Sequence, residues 1–260
     1  MKALILAGGF GSRLSEYTDL VPKPMVPIGG KPILLHIMNW YSLYGVTDFV
    51  LALGYKSEVI KSYFRSLHSS SADFTINLAT GSVHYHSPSI YNWNVTLVDT
   101  GLETMTGGRI KRCKPFLGDS TFFLTYGDGL ANVNIDSLLR HHRHSQAALT
   151  LTAVRPLARF GHLELCDTSS QVSSFSEKSQ TSQGWINGGF FVAEPLIFDY
   201  LKDDTTVFEQ EPLQRLAAES QLSAYRHTSF WHCMDTKRDK ESLEHLYQSG
   251  NAPWLNRSDI

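Results

Sequence analysis

Ala7-Gly8-Gly9-Phe10-Gly11-Ser12-Arg13 follows directly on the short apolar run Lys2-Ala3-Leu4-Ile5-Leu6. A buried strand that opens into a glycine-rich turn and ends in an arginine is suited to approach phosphate. Glycines at 8, 9 and 11 leave no Cβ in the way and reach backbone angles closed to other residues. Their N–H groups can donate to anionic oxygens, and Arg13 adds a planar fork of donors. Farther along, Lys23 stands between Pro22 and Pro24, which stiffen the backbone around a second cation. Two fixed cations beside a glycine loop point to triphosphate chemistry. The turn lacks the Gly-Lys-Ser/Thr ending of the P-loop and the G-x-G-x-x-G spacing of dinucleotide folds. The competing reading is a common glycine turn whose cations face solvent.

Two carboxylates favour a site. Asp128 lies in Tyr126-Gly127-Asp128-Gly129 at the C-terminal end of an apolar run, where open α/β sheets bind ligands. Asp235 follows the aromatic pair Phe230-Trp231. Mg²⁺ takes one or two protein carboxylates and completes its shell with water and substrate phosphates, so Asp128 and Asp235 form a candidate metal pair. The alternative for Asp235 is a cap on the helix that follows.

These side chains need a scaffold to converge. Apolar runs predict strands at Ala3–Leu6, Asp48–Leu53, Asn94–Val98, Thr121–Tyr126 and Leu149–Val154. Helical spacing predicts Ile33–Tyr44, Lys56–Phe64, Gly107–Phe116, Ile135–Ser145, Glu211–Glu219 and Asp239–Ser249. Apolar strands alternating with helices indicate an α/β fold with a mostly parallel sheet covered on both faces. Ser66–Pro88 is serine-rich and polar, a surface excursion with extended pieces at Phe74–Leu78 and Val83–His86. Past residue 155 the pattern shifts to short strands, with a hairpin predicted at His162–Cys166 and Val172–Glu177. Trp185–Val192 is aromatic and glycine-rich. No internal repeat or domain-separating linker is visible.

Bulk properties exclude several classes. A net charge of −2 argues against nucleic acid as the main partner. Cys113, Cys166 and Cys233 are odd in number and lack C-x-x-C spacing, so neither a disulfide framework nor a zinc knuckle is expected. A reducing compartment fits this usage. No apolar run is long enough for a membrane span, and the N-terminal run is too short for a signal peptide. The expectation is a cytoplasmic protein without a membrane partner. His141-His142-Arg143-His144 reads as a solvated helix face, not a metal site. His84 and His86 read as surface groups, Cys233 as a small packed thiol, and Trp40, Tyr41 and Tyr44 as core or subunit contact.

Seven blocks carry a resemblance along nearly the whole chain: Met1–Gly9, Gly29–Leu34, Val95–Gly101, Met105–Arg109, Thr125–Gly129, Ile186–Phe191 and Met234–Thr236. With them the chain resembles the sugar-1-phosphate nucleotidylyltransferases, above all the members that transfer a cytidylyl group to glucose 1-phosphate. The resemblance implies a Rossmann-like three-layer α/β/α sandwich with a small added β region. It also implies one domain over 1–260, with a nucleotide-binding core mainly in 1–155 and an acceptor-binding and C-terminal part in 156–260. The implied reaction is Mg²⁺-assisted attack by a sugar phosphate oxygen on the α-phosphorus of CTP, expelling pyrophosphate. The implied product feeds deoxysugar synthesis for surface polysaccharide. A phosphate nucleophile is already ionised, so no general base is needed, which agrees with the lack of a Ser-His-Asp or Cys-His arrangement.

Carried over residue by residue, Arg13 and Lys23 become the catalytic cations, Lys23 beside the α-phosphate. The nucleotide would be held by Leu6, Gly8, Gly9, Gly11, Ser12, Arg13, Lys23, Thr106, Gly107, Gly108, Arg109 and Asp128. The acceptor would meet Tyr126, Glu177, Lys178, Asn187 and Gly188. Mg²⁺ would sit on Asp128 and Asp235. The resemblance further implies a homo-oligomer, to which the 66–88 excursion could contribute contacts. Departures from the family pattern at Ala158, Ser176, Ser179, His232 and Cys233 concern the acceptor side, whereas Ser12 keeps the hydroxyl of a family threonine. Open alternatives are another phosphorylated acceptor, another base, or a regulator that binds nucleotide without turnover.

Overall fold

Alternate residues of the first strand, Lys2–Ala7, enter opposite cores: Ala3, Ile5 and Ala7 pack on one side, Leu4 and Leu6 on the other. The period of two along a strand sends successive side chains to opposite faces, so a run that is apolar at every position must be covered twice. In the computed structural model, which describes residues 1–156, 162–165, 172–176 and 184–255, helices Ile33–Ser42 and Ile135–Ser145 cover the first face. Helices Thr106–Leu117 and Glu211–Ala218 cover the second. Each large apolar side chain buried in these layers contributes roughly 1.5–3 kcal/mol. The result is the expected three-layer α/β/α sandwich.

Among the described residues the central sheet has eight strands. Asn94–Asp99, Asp48–Leu53, Lys2–Ala7 and Phe122–Tyr126 lie side by side and parallel. Phe191–Ala193 then pairs antiparallel with both Phe122–Tyr126 and Leu149–Val154. Leu222–Arg226 adds a parallel strand to Leu149–Val154, and Ile186–Asn187 pairs with its end. The parallel core places Ala7, Leu53 and Tyr126 at one edge, the carboxyl end where the glycine turn begins.

A separate short pairing completes that edge. Gly129–Ala131 and Trp231–Cys233 run antiparallel, with Gly129 opposite Cys233. The predicted hairpin is found at His162–Leu165 and Val172–Ser176; Cys166 and Glu177, which were expected to extend it, lie outside the described residues. The 66–88 excursion contains a hairpin of Phe74–Ile76 with Val83–Tyr85, exposed throughout. None of the described helices is long and apolar enough to cross a membrane.

The structure corrects one local reading and removes one alternative. His142 does not share a solvated face with its neighbours. It is buried, with Nδ1 against Thr150 Oγ1 at 2.9 Å and Nε2 3.0 Å from Glu194 Oε1. Burial lowers its pKa, outweighing the opposing effect of Glu194, because desolvation disfavours the imidazolium. Asp235 is not the cap of helix Lys237–Gln248. Thr236 holds that position in a reciprocal capping box with Asp239, an arrangement that satisfies orphan N–H groups from both sides.

Candidate active site

The glycine turn is seated by a buried arginine. Arg109 is 4 % exposed. Its guanidinium donates to the carbonyls of Leu53 at 3.1 Å, Gly101 at 2.7 Å and Leu102 at 3.0 Å, and to Thr100 Oγ1 at 2.8 Å. Burial lowers its pKa despite nearby Asp99. A Cβ on Gly8 would stand 2.4 Å from Arg109 Nη1 and 2.9 Å from the Gly54 nitrogen, so only glycine fits there. Arg109 thus braces three loops at the sheet's carboxyl edge, a role invisible from its place in the Met105–Arg109 block. Gly107 and Gly108 donate their N–H groups to the Thr206 carbonyl, and backbone atoms of Thr206 and Asp204 leave no room for their side chains. They allow helix Thr106–Leu117 to approach the 203–206 loop and do not border the cavity below.

That cavity, about 370 Å³, opens above the turn. Leu6, Gly8, Gly9, Gly11, Ser12 and Arg13 line it together with Lys23, Asp128, Leu102–Thr106 and Arg109. A second cavity of about 270 Å³ is lined by Asn187, Gly188, Trp231, Cys233 and Asp235. Arg13, Tyr126 and Asp128 border both. Volumes of a few hundred cubic ångströms suit small-molecule ligands.

Where the two meet, four charges converge. Lys23, buried in the short 3₁₀ turn Lys23–Met25, places Nζ 2.6 Å from Asp128 Oδ2 and 2.6 Å from Asp235 Oδ1. Arg13 Nη1 lies 3.0 Å from Asp235 Oδ2. Burial alone would lower the lysine's pKa, but Asp128 and the two hydrogen-bonded carboxylates outweigh it and hold the value above the ordinary 10.5. Burial pushes the Asp235 carboxyl up, and its bonds to Lys23 and the charge of Arg13 pull it further down, below the ordinary value. Burial and the Asp128 charge push the Cys233 thiol up, so it stays protonated. Ligand atoms of Asp128, Cys233 and Asp235 lie within 4.8 Å of one another. Two carboxylates beside a cavity lined by Arg13 and Lys23 fit a hard divalent cation; the protonated thiol adds no hard donor.

In the second cavity, Tyr126 Oη accepts from Asn187 Nδ2 at 3.3 Å, and Asn187 Oδ1 accepts from the Gly189 N–H at 2.9 Å. Trp231 Nε1 donates to the Gly188 carbonyl at 2.7 Å. Along Trp231–Cys233, the outer two residues face the cavity, whereas His232 turns toward Asp239 with its Nε2 3.4 Å from Oδ1. Of the acceptor-side departures, Cys233 therefore borders the site and His232 does not. Glu177 and Lys178 lie outside the described residues, as do Ala158 and Ser179. Sequence reasoning missed Trp231 and the wall residues Leu102–Thr104. It also missed Glu209, whose carboxylate accepts from both Tyr126 and Thr106 at 2.6 Å. The Gly107-Gly108 pair was a signal for a close-packed loop opposite, but nothing local marked which loop.

Comparison with known proteins is consistent with this geometry. The sequence profile described as nucleotidyl transferase matches residues 2–236. Glucose-1-phosphate cytidylyltransferase of Salmonella typhimurium is 49 % identical over 255 residues, covering 98 % of both chains. A probable glucose-1-phosphate cytidylyltransferase of Bacillus subtilis is 46 % identical, covering 98 % of this chain and 99 % of that protein. Among solved structures, a UDP-glucose pyrophosphorylase complexed with UDP-glucose aligns with a TM-score of 0.68 at 16 % identity, covering 96 % of this chain and 98 % of that one. The last likeness concerns the fold alone.

Proposed function

Because the chain belongs to the nucleotidyl transferase family, we propose that it transfers the cytidylyl group of CTP to glucose 1-phosphate, giving CDP-glucose and pyrophosphate. The observation that carries this reading is the junction itself: two cavities share Arg13, Tyr126 and Asp128, and Lys23 stands there between two carboxylates. The choice of cytosine and glucose rests on the near-full-length relatives at 46–49 % identity.

In this reading the first cavity takes CTP. Amides of Gly8, Gly9 and Gly11, with Ser12 and Arg13, meet the β- and γ-phosphates; Leu6 and Thr106 border the nucleoside. Arriving phosphate oxygens offer Arg13 and Lys23 new partners, which frees both carboxylates. A bound Mg²⁺ supplies Lewis-acid neutralisation of phosphate oxygens, with Asp128 and Asp235 as the residues to hold it. The second cavity takes the sugar phosphate against Tyr126, Asn187 and Gly188, with Glu177 and Lys178 assigned to the same ligand. One oxygen of the sugar phosphate forms a bond to the α-phosphorus as the bond to the β-phosphate oxygen breaks. Positioning and charge neutralisation carry the step, and Lys23 is placed to neutralise the negative charge that builds on the α-phosphate. We further assign the protein to the cytoplasm as a homo-oligomer of single-domain chains, its nucleotide part mainly in 1–155.

Pyrophosphate release by the pure protein with Mg²⁺ tests the reading. CTP, UTP, dTTP, ATP and GTP are compared, each with and without glucose 1-phosphate. Release confined to CTP with the sugar phosphate is the expected result. Release with another triphosphate overturns the base; release without the sugar phosphate overturns the acceptor.

A further inference from the structure

Glu209 lies in the loop after the 3₁₀ helix Pro195–Tyr200 and before helix Glu211–Ala218. Its side chain is exposed, yet the residue is anchored. The neighbouring Phe208 is fully buried, its ring 5.7 Å from that of Phe191, and the Phe208 N–H donates to Thr106 Oγ1 at 2.9 Å. With its lone pair so engaged, the Thr106 hydroxyl donates to Glu209 Oε2 at 2.6 Å. The other carboxylate oxygen, Oε1, accepts from Tyr126 Oη, also at 2.6 Å. One carboxylate thus ties a wall residue of the nucleotide cavity to a residue that borders both cavities.

The direction of these bonds matters. Both hydroxyls donate to the carboxylate, and a hydroxyl has one hydrogen to donate, so the Tyr126 hydroxyl only accepts from Asn187. Asn187 in turn must present Nδ2 to the tyrosine, while its Oδ1 is held by the Gly189 N–H. Among the described residues, one N–H and one Oδ1 lone pair of this amide have no further partner, and Asn187 lines the second cavity. The Gly189 N–H keeps Oδ1 in place by itself, so what the carboxylate fixes is the tyrosine: without it the Tyr126 proton can turn to a ligand, and the hydroxyl offers a donor where it had offered only a lone pair.

We propose that Glu209 is a positioning residue for the acceptor: by taking the Tyr126 hydroxyl hydrogen bond it sets the polarity of the Glu209–Tyr126–Asn187 relay, and so the face that Tyr126 offers to the sugar phosphate beside Asn187. The inference rests on the acceptor reading of the second cavity.

The test compares the full-length wild type with Glu209→Gln, Tyr126→Phe and the double variant. Glutamine keeps the shape but can donate as well as accept, which removes the imposed polarity. Expected is a rise of about tenfold in KM for glucose 1-phosphate in Glu209→Gln, the size of a lost charge-assisted hydrogen bond. The KM for CTP rises by clearly less than that for glucose 1-phosphate, and the melting temperature stays near the wild-type value. Tyr126→Phe gives a similar rise, and the double variant is no worse than the poorer single one, as for residues acting through one relay. An unchanged acceptor KM in Glu209→Gln overturns the proposal. So does a loss that strikes kcat and both KM values alike together with the melting temperature, which marks a merely structural role, or a double variant whose losses multiply. A wild type inactive with glucose 1-phosphate overturns the reading of the site, and this inference with it.

Discussion

Lys23 Nζ lies 2.6 Å from Asp128 Oδ2, although 105 residues separate the two in sequence. Strand pairing makes the meeting possible: Leu6 aligns with Tyr126 in the parallel sheet, and the turns leaving both strands emerge at one edge. A cation this buried is costly unless paired, and here it is paired twice.

Replacing Lys23 with alanine separates binding from turnover. The α-phosphate loses its neutralising charge, and removal of one preorganised group of this kind costs roughly 10²–10³ in kcat. CTP affinity, measured by calorimetry, is expected to change by less than about tenfold, since the glycine turn and Arg13 remain. Equal losses in affinity and turnover would place Lys23 in ground-state binding instead.

The pH–rate profile follows from the same pairing. Lys23 has its ordinary pKa of 10.5 raised, so its charge persists throughout the neutral and mildly alkaline range. Asp235 is held below the ordinary carboxylate range and stays ionised above pH 5. The acid limb of kcat/KM therefore belongs to the second ionisation of the substrate phosphate, near pH 6. Activity is expected to level off above pH 7 and hold to pH 9. A loss of activity between pH 7 and 9 would contradict the assigned state of the lysine.

Gly8→Ala tests the brace under the turn. The added methyl would lie 2.4 Å from Arg109 Nη1, and overpacking of this kind costs about 1–3 kcal/mol. The melting temperature should fall and KM for CTP should rise. Gly9→Ala is the control for stability, because no heavy atom lies within 4 Å of its Cβ position. Equal melting temperatures for the two variants would remove the steric argument.

Much of this site was legible before the fold, because the signals were local. The apolar run Lys2–Leu6 with its glycine turn, helix Ile135–Ser145 and the carboxylate after the strand ending at Tyr126 all stand in continuous sequence. What escaped depends on distant partners. The pairing of Gly129 with Cys233 involves strands of three residues, too short for periodicity to show. Arg109 was legible as a residue of the site, which it lines, but its bracing role was not, because carbonyl partners as far off as Leu53 leave no mark nearby. His142 looked solvated on its helix because Thr150 and Glu194 bury it from the sheet. Glu209 sits in an aperiodic loop, and only the fold brings Tyr126 to it.

Acid stability gives a check independent of function. His36 is buried, with Nε2 2.9 Å from the Ile28 carbonyl and Nδ1 accepting from Trp254 Nε1 at 3.3 Å. Burial lowers its pKa below the ordinary 6.5, and the same direction holds for His142 and His227. A group with a depressed folded pKa contributes stability above its unfolded value and loses it as pH falls through the folded value. The melting temperature is expected to drop as pH falls below 6.5. His36→Gln should melt lower at pH 7.5 but show a shallower fall toward pH 5. A slope unchanged by the substitution would remove His36 from the account.

The most direct test of the central claim is phosphorus NMR of the purified protein with CTP, glucose 1-phosphate and Mg²⁺. Transfer predicts loss of the triphosphate and the sugar phosphate together, with growth of a pyrophosphate signal and the coupled pair of a nucleoside diphosphate sugar in equal amounts. CTP left intact, or converted to CMP and pyrophosphate while glucose 1-phosphate stays untouched, would contradict the account.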